Sequence, residues 1–283
     1  MSKQTQNPLS GHFRAPKLYT LLPSQGRYYT DDIVEMPDNG ELPIYPMTAK
    51  DELIMRNPDA LLNGEAVTQV IASCVPSVKK SIKLMSNDVD ALLLAIQGAS
   101  YGDDISIRAN CPECNVEVEG VISADDTLSA MSVLEDSYTF TTGELEFAVR
   151  PFTYETTIKA GIASFQSTRS LQAMADMPDD EDKLKVFNQS FVKMANVNFD
   201  IIVDSIQSIT APGDEEDVVV TDRKQILEFM NNCESSIGKQ VEEQIAQIGE
   251  IGIAKESEFM CEECDKTFRS SVAFDPVNFS TAS

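Results

Sequence analysis

Two short stretches constrain the fold more than any other part of the sequence: Ile105 to Ile122, carrying Cys111-Pro112-Glu113-Cys114, and Phe259 to Phe274, carrying Cys261-Glu262-Glu263-Cys264. The first pair of thiols lies between Ile105, Ile107 and Ala109 on one side and Val116 and Val118 on the other, an alternation of period two that reads as strand. The second follows Phe259-Met260 and precedes Phe268, Val272 and Phe274. A strand, tight turn, strand unit points two sulfurs to one side, and a closed tetrahedral site needs four. The two half-sites therefore predict one shared centre of Cys111, Cys114, Cys261 and Cys264 holding a structural Zn2+; spacing alone does not separate zinc from iron. Asn115 and Asp265 follow the pairs, and both residue types tolerate the left-handed backbone that such a knuckle requires. With sulfur at all four positions, none is left for a catalytic water.

Other uses of these cysteines fit less well. A redox dithiol belongs at the start of a helix after a buried strand, where its pKa is lowered, and neither pair is set there. Disulfides of the secreted kind are dense in short chains, whereas six cysteines are few for 283 residues. Cys74 and Cys233 sit in apolar helical stretches and read as small core residues.

The net charge of −24 argues against a nucleic-acid or anionic-membrane surface, because phosphate binding draws on clustered Lys and Arg. Partners are expected to be proteins. No stretch approaches the length of a membrane-spanning helix, and the polar Met1 segment does not resemble a secretory leader, so folding in a reducing cytoplasm is expected. The charge is uneven: residues 1–30 carry Lys3, Arg14, Lys17 and Arg27 without one acid. Residues 1–17, punctuated by Pro8, Gly11 and Pro16, read as an extended basic arm able to order on a partner. Its candidate contact residues are His12, Phe13, Arg14 and Lys17, while Leu18 to Tyr29 is expected to fold back on its own domain.

The rest predicts an α+β fold, a mostly helical body with short strands and a zinc-ribbon-like site built from the two distant knuckles. Leu42 to Tyr45 reads as an edge strand, and Thr48 with Asp51 as a capping box. A helix from about Gly64 carries Val67, Val70, Ile71 and Cys74; a short strand is expected at Ile82 to Met85, and Ser86-Asn87-Asp88 as the cap of a strongly apolar helix. Leu145 to Thr153 then repeats the order of Leu42 to Thr48: strand, proline, large apolar residue, threonine, helix. Helical pattern continues through Ile201 to Ile209, Thr221-Asp222 caps another helix, and Ile237, Val241, Ile245 and Ile248 form a stripe facing the core. The two passes read as an internal duplication of a unit ending in a knuckle. The organisation is then the arm (1–17), a first half (18–122) and a second helical half (123–283), the last with acidic, solvated loops at Asp176 to Asp182 and Pro212 to Asp217. The single histidine, His12, and the absence of a nucleophile elbow, phosphate loop or His-Glu-x-x-His helix give no support to an enzyme.

In order along the chain, Leu22-Pro23-Ser24-Gln25-Gly26-Arg27-Tyr28-Tyr29, Pro46-Met47-Thr48-Ala49-Lys50-Asp51-Glu52, Leu92 to Gly102-Asp103 leading into Cys111-Pro112-Glu113-Cys114, and the terminal Cys261 to Cys264 with Phe268 resemble the T4-like bacteriophage baseplate hub family. Relatives often have glycine where this chain has Asn115 and Asp265. The resemblance covers residues 18–122 well, the last 25 moderately and the acidic middle hardly at all. It implies a structural or assembly role in the tail baseplate of a contractile phage, contacts with other hub proteins, synthesis in the host cytoplasm, and either a place in the virion or a transient assembly function.

Overall fold

The computed structural model describes residues 8–174, 180–213 and 216–271. Strands β1 (Leu18–Thr20) and β2 (Leu42–Ile44) pair antiparallel, with Pro43 opposite Tyr19. Pro43 has no N–H to give, and among the described residues the pair takes no third strand. The capping box forms as the sequence predicts: the Thr48 hydroxyl accepts the Asp51 N–H and the Asp51 carboxylate accepts the Thr48 N–H, opening α1 (Ala49–Met55). Pro58 starts α2 (Pro58–Leu62), and Gly64, in the left-handed conformation, leads into α3 (Glu65–Cys74). Val67, Val70, Ile71 and Cys74 are buried there, beside α4 (Ser86–Tyr101), which is enclosed on most sides. These elements make the first apolar core.

Strands β3 (Asp104–Asn110) and β4 (Glu117–Ser123) form the first knuckle hairpin, followed by α5 (Ala124–Ser129). Then come β5 (Tyr138–Thr142), β6 (Leu145–Val149), α6 (Tyr154–Met174), α7 (Asp180–Ser205), β7 (Ile206–Ala211), β8 (Val218–Val220), α8 (Arg223–Asn232) and α9 (Ser235–Gly249). The second knuckle hairpin is β9 (Glu256–Met260) with β10 (Thr267–Ser271). Strands β5 to β8 form a four-stranded antiparallel sheet in chain order. Phe147 at its centre stacks on Phe140 at 5.2 Å and meets Phe229 of α8, while Val241, Ile245 and Ile248 of α9 bury their predicted stripe in the same core.

Three expectations are corrected. The helix through Ile201 to Ile209 stops at Ser205, and Ile206 to Ala211 is a strand paired with β6; the apolar spacing there serves either period, and pairing decides it. Ile82 to Met85 is not a strand: Ser81–Lys83 is a 3-10 turn, and Met85 makes one isolated bridge to Thr153. The side chains of Asn87 and Asp88 do not cap α4; they reach outward to other segments. Of the two acidic loops, residues 175–179 and 214–215 lie outside the described residues, and Asp180 already begins α7.

The segment Leu22 to Tyr29 joins the parts. Gln25 and Gly26 turn with φ of 51° and 79°, and a Cβ on Gly26 would stand 2.7 Å from Met36 Cγ, so this turn requires glycine. Pro23 accepts the Leu134 N–H at 2.8 Å, Arg27 donates to Leu134 O at 2.6 Å and pairs with Asp136, and the Tyr28 hydroxyl donates to Glu135 O. From the other side the Asp88 carboxylate, fully buried, accepts the Ser24 N–H at 2.8 Å and the Tyr29 hydroxyl, which in turn accepts the Met85 N–H. Burial pushes the Asp88 carboxyl up to about 6 and the Tyr29 phenol well above its ordinary value. Beside it, the Asn87 amide donates to Ile248 O at 3.0 Å, which also takes the Ile251 N–H, and to Ile251 O at 2.7 Å, just past the end of α9.

Candidate metal centre

Each knuckle is built by the same local rule. The Cys111 N–H donates to Val116 O and the Cys261 N–H to Lys266 O, both at 2.9 Å, closing the two turns alike. Asn115 and Asp265 take φ of 56° and 55°, the left-handed geometry expected of them. Within each hairpin the last apolar strand residues point the same way as the first cysteine. Ile105, Ile107, Ala109 and Cys111 are buried together with Phe259, Cys261 and Phe268. Phe259 and Phe268 stack at 5.6 Å. Gly120 of β4 lets the hairpins close on each other, since a Cβ there would come 3.2 Å from the Phe259 ring. Ala91 and Leu94 of α4 and Ile253 complete this core, which therefore draws on both halves of the chain.

The four sulfurs converge, all within 4.8 Å of one another, with Cys111 3.6 Å from Cys264 and Cys114 3.5 Å from Cys261. A regular ZnS4 tetrahedron with Zn–S near 2.3 Å has sulfurs about 3.8 Å apart, so the donor set fits zinc in number, type and spacing. The backbone N–H of Cys114 holds the Cys111 thiol down to about 7. At Cys264 the Lys266 N–H pulls in the same direction, yet burial and the Cys261, Cys111 and Cys114 sulfurs outweigh it and push that thiol up to about 12. Four thiolates so close repel one another, and a divalent cation at their centre removes that cost. Lys266 pairs with Glu113 of the opposite knuckle, a cross-link over the rim.

The arm residues part company. Arg14 is turned inward: its guanidinium donates to Pro46 O at 2.6 Å, Ser73 O at 2.7 Å and Ser73 Oγ at 2.8 Å, and lies 3.5 Å from the buried Asp51 carboxylate. The Lys17 N–H bonds Ile44 O. His12, Phe13 and the Lys17 side chain are exposed. Cys74 is buried beside Arg14, and Cys233 closes α8 at the edge of the third core.

The sequence reading did not find the Asp88 junction or the inward Arg14. The signal available for the first was two polar residues, Asn87 and Asp88, in the first turn of an otherwise apolar helix whose cap does not use them.

Fold and site define the class: a mixed α and β protein whose distant segments meet at a closed four-cysteine cluster able to hold a metal, with no helix among the described residues long and apolar enough to cross a membrane. Sequence comparison supplies the family. Residues 29–279 match the family described as T4 bacteriophage base plate protein, and the chain belongs to it. No curated protein and no solved structure matches the chain significantly. The family points to a structural component of the phage baseplate, located in the virion tail and in contact with other phage proteins.

Proposed function

We propose that this chain is a non-enzymatic structural component of the hub region of the baseplate, made in the host cytoplasm and joining other baseplate proteins through protein contacts, with its fold held by zinc on Cys111, Cys114, Cys261 and Cys264. The observation that carries the reading is the meeting of two knuckles about 150 residues apart at one four-sulfur cluster in a chain of this family. The metal would supply no chemistry beyond cross-linking: four thiolates leave no open position. The exposed His12, Phe13 and Lys17 are offered to a neighbour on an arm that Arg14 anchors. The duplication read from the sequence stays part of this proposal: each half opens with a strand pair and helices and closes on a knuckle hairpin, with β7 and β8 added in the second.

Two measurements test this. Metal analysis of the purified chain should give one zinc per chain, falling to near zero in Cys261→Ser; iron, or no metal, overturns the zinc assignment. Quantitative mass spectrometry of purified virions should give a fixed small stoichiometry against the tube protein. Abundance in infected cells with absence from virions would instead make the chain a transient hub assembly chaperone.

A further inference from the structure

An open groove of about 600 Å3 runs along β1. Leu18, Tyr19, Thr20 and Leu21 all line it, whereas Leu42, Pro43 and Ile44 of β2 do not. Successive side chains of a strand point to opposite faces, so a cavity touching four residues in a row follows the edge of the strand and not one face. It is the edge that β2 leaves open, since among the described residues β1 pairs with β2 alone. An open edge presents unpaired backbone N–H and C=O groups, a template for another strand. Leu18-Tyr19-Thr20 has no charge and no proline to turn such a strand away.

The other wall is α5 and the segment that leaves it. Gly98 of α4 and the buried Ala124 of α5 meet at the base, where a Cβ on the glycine would stand 3.1 Å from the alanine Cβ. Leu128, Met131 and Val133 make this wall apolar. Tyr19, Leu21 and Val133 are exposed, apolar surface that the chain's own packing leaves uncovered. A strand laid here gains main-chain hydrogen bonds from β1 and apolar contact from both walls.

Charge then selects the sequence of that strand. The charged residues lining the groove are Glu41, Asp103 and Asp125. All three are exposed, and among the described residues none has a cation partner, unlike Asp32, Glu35 and Glu155, which pair with Lys80, Lys79 and Lys83. Asp104 and Asp126 adjoin them, and the cation next to the lined stretch in sequence is Lys17, just before β1. Five acids against one base favour a basic strand, which meets opposite charge where an acidic one meets repulsion.

We propose that the open edge of β1 takes an extended basic segment of another protein as an added strand, its backbone on β1, its apolar side chains on Leu21, Leu128 and Val133, and its cations on Glu41 and Asp125. The proposal needs neither the metal nor the hub location.

The test uses the full chain and a fluorescein-labelled peptide of about ten residues in which Val and Lys alternate. One twin has Glu in place of Lys, and a second has its backbone amides N-methylated, which removes the donors a strand ladder needs. Fluorescence anisotropy should show the Lys peptide binding at least about tenfold more tightly than either twin. Leu21→Ser with Val133→Ser, and separately Glu41→Gln with Asp125→Asn, should each weaken binding by about fivefold or more, while the circular dichroism of the chain is unchanged. All four positions are exposed, so the variants keep the fold. No binding, equal binding of either twin, or binding that survives both pairs of substitutions overturns the proposal. So does concentration-dependent self-association that is abolished both by deleting residues 1–12 and by the Glu41 and Asp125 substitutions, which assigns the groove to the basic arm of a second copy.

Discussion

Replacing Asp88 with asparagine should flatten part of the pH dependence of stability. Asp88 is wholly enclosed, bonded by the Ser24 N–H and the Tyr29 hydroxyl and by no cation among the described residues, and burial lifts its carboxyl from 3.8 to about 6. A folded-state pKa above the unfolded one means that the folded state holds its proton more tightly. The stability this gives is complete below pH 3.8 and is lost as pH rises through about 6. At about 1.36 kcal/mol per pH unit the whole effect is about 3 kcal/mol, roughly half of it falling between pH 5 and 7.5. Asparagine keeps an acceptor for Ser24 and does not titrate. Urea unfolding of wild type and Asp88→Asn at pH 5 and 7.5 gives two stability differences, and the variant should gain on the wild type by about 1.5 kcal/mol between them. Any constant cost of the amide, and any metal-linked pH dependence common to both proteins, cancels in that comparison. A gap that stays constant, or that moves the other way, would refute the buried, cation-free account of Asp88.

Other perturbations address separate parts of the structure. Asn87→Ala removes the side-chain donor from Ile251 O and from Ile248 O, which keeps the Ile251 N–H, and should cost about 1–3 kcal/mol in urea unfolding, with faster amide exchange at the end of α9. Gly64 has φ of 73°, and a Cβ there would meet Ile158 Cδ1 at 2.1 Å. Gly64→Ala should therefore lower stability by about 1–2 kcal/mol from backbone strain alone, plus a crowding cost that Ile158→Ala removes in the double variant. Deleting residues 1–12 should leave the melting temperature unchanged, whereas deletion through Arg14 takes the guanidinium from the buried Asp51 carboxylate, which keeps its Thr48 and Ser73 donors, and should cost about 2–3 kcal/mol. Chelation should expose β9–β10 to proteolysis between Lys255 and Arg269 while the first core stays protected, as a time course with trypsin would reveal.

The candidate metal centre was legible because its information is local. Spacing within each pair, the alternation around it and the αL-tolerant Asn115 and Asp265 each constrain a few neighbouring residues, and all of these features appear in the structure. The Thr48 capping box and the α9 stripe were legible for the same reason. The four-stranded sheet was not. Tyr138–Thr142 alternates but does not name its partner, Val218–Val220 is too short to display a period, and Ile206–Ala211 continues a helical spacing until pairing with β6 takes over. Asp88 was misread as a cap because its partners, Ser24 and Tyr29, lie some 60 residues away. The α6–α7 pattern was legible as helix, yet which face the hairpin turns inward was not.

The distance between the knuckles bears on timing during synthesis. Cys111 and Cys264 are 153 residues apart, so a ribosome displays the first pair of thiols, an incomplete chelate, for roughly 8–30 s at 5–20 residues per second before the second can join it. A metal held by all four sulfurs would then register that translation has passed the second knuckle, and a chain interrupted earlier would carry its α4 and β3–β4 surfaces uncovered. Ribosome-arrested chains stalled before residue 261 should hold metal no better than a two-cysteine peptide; tight retention by such chains would remove this link between completion and closure.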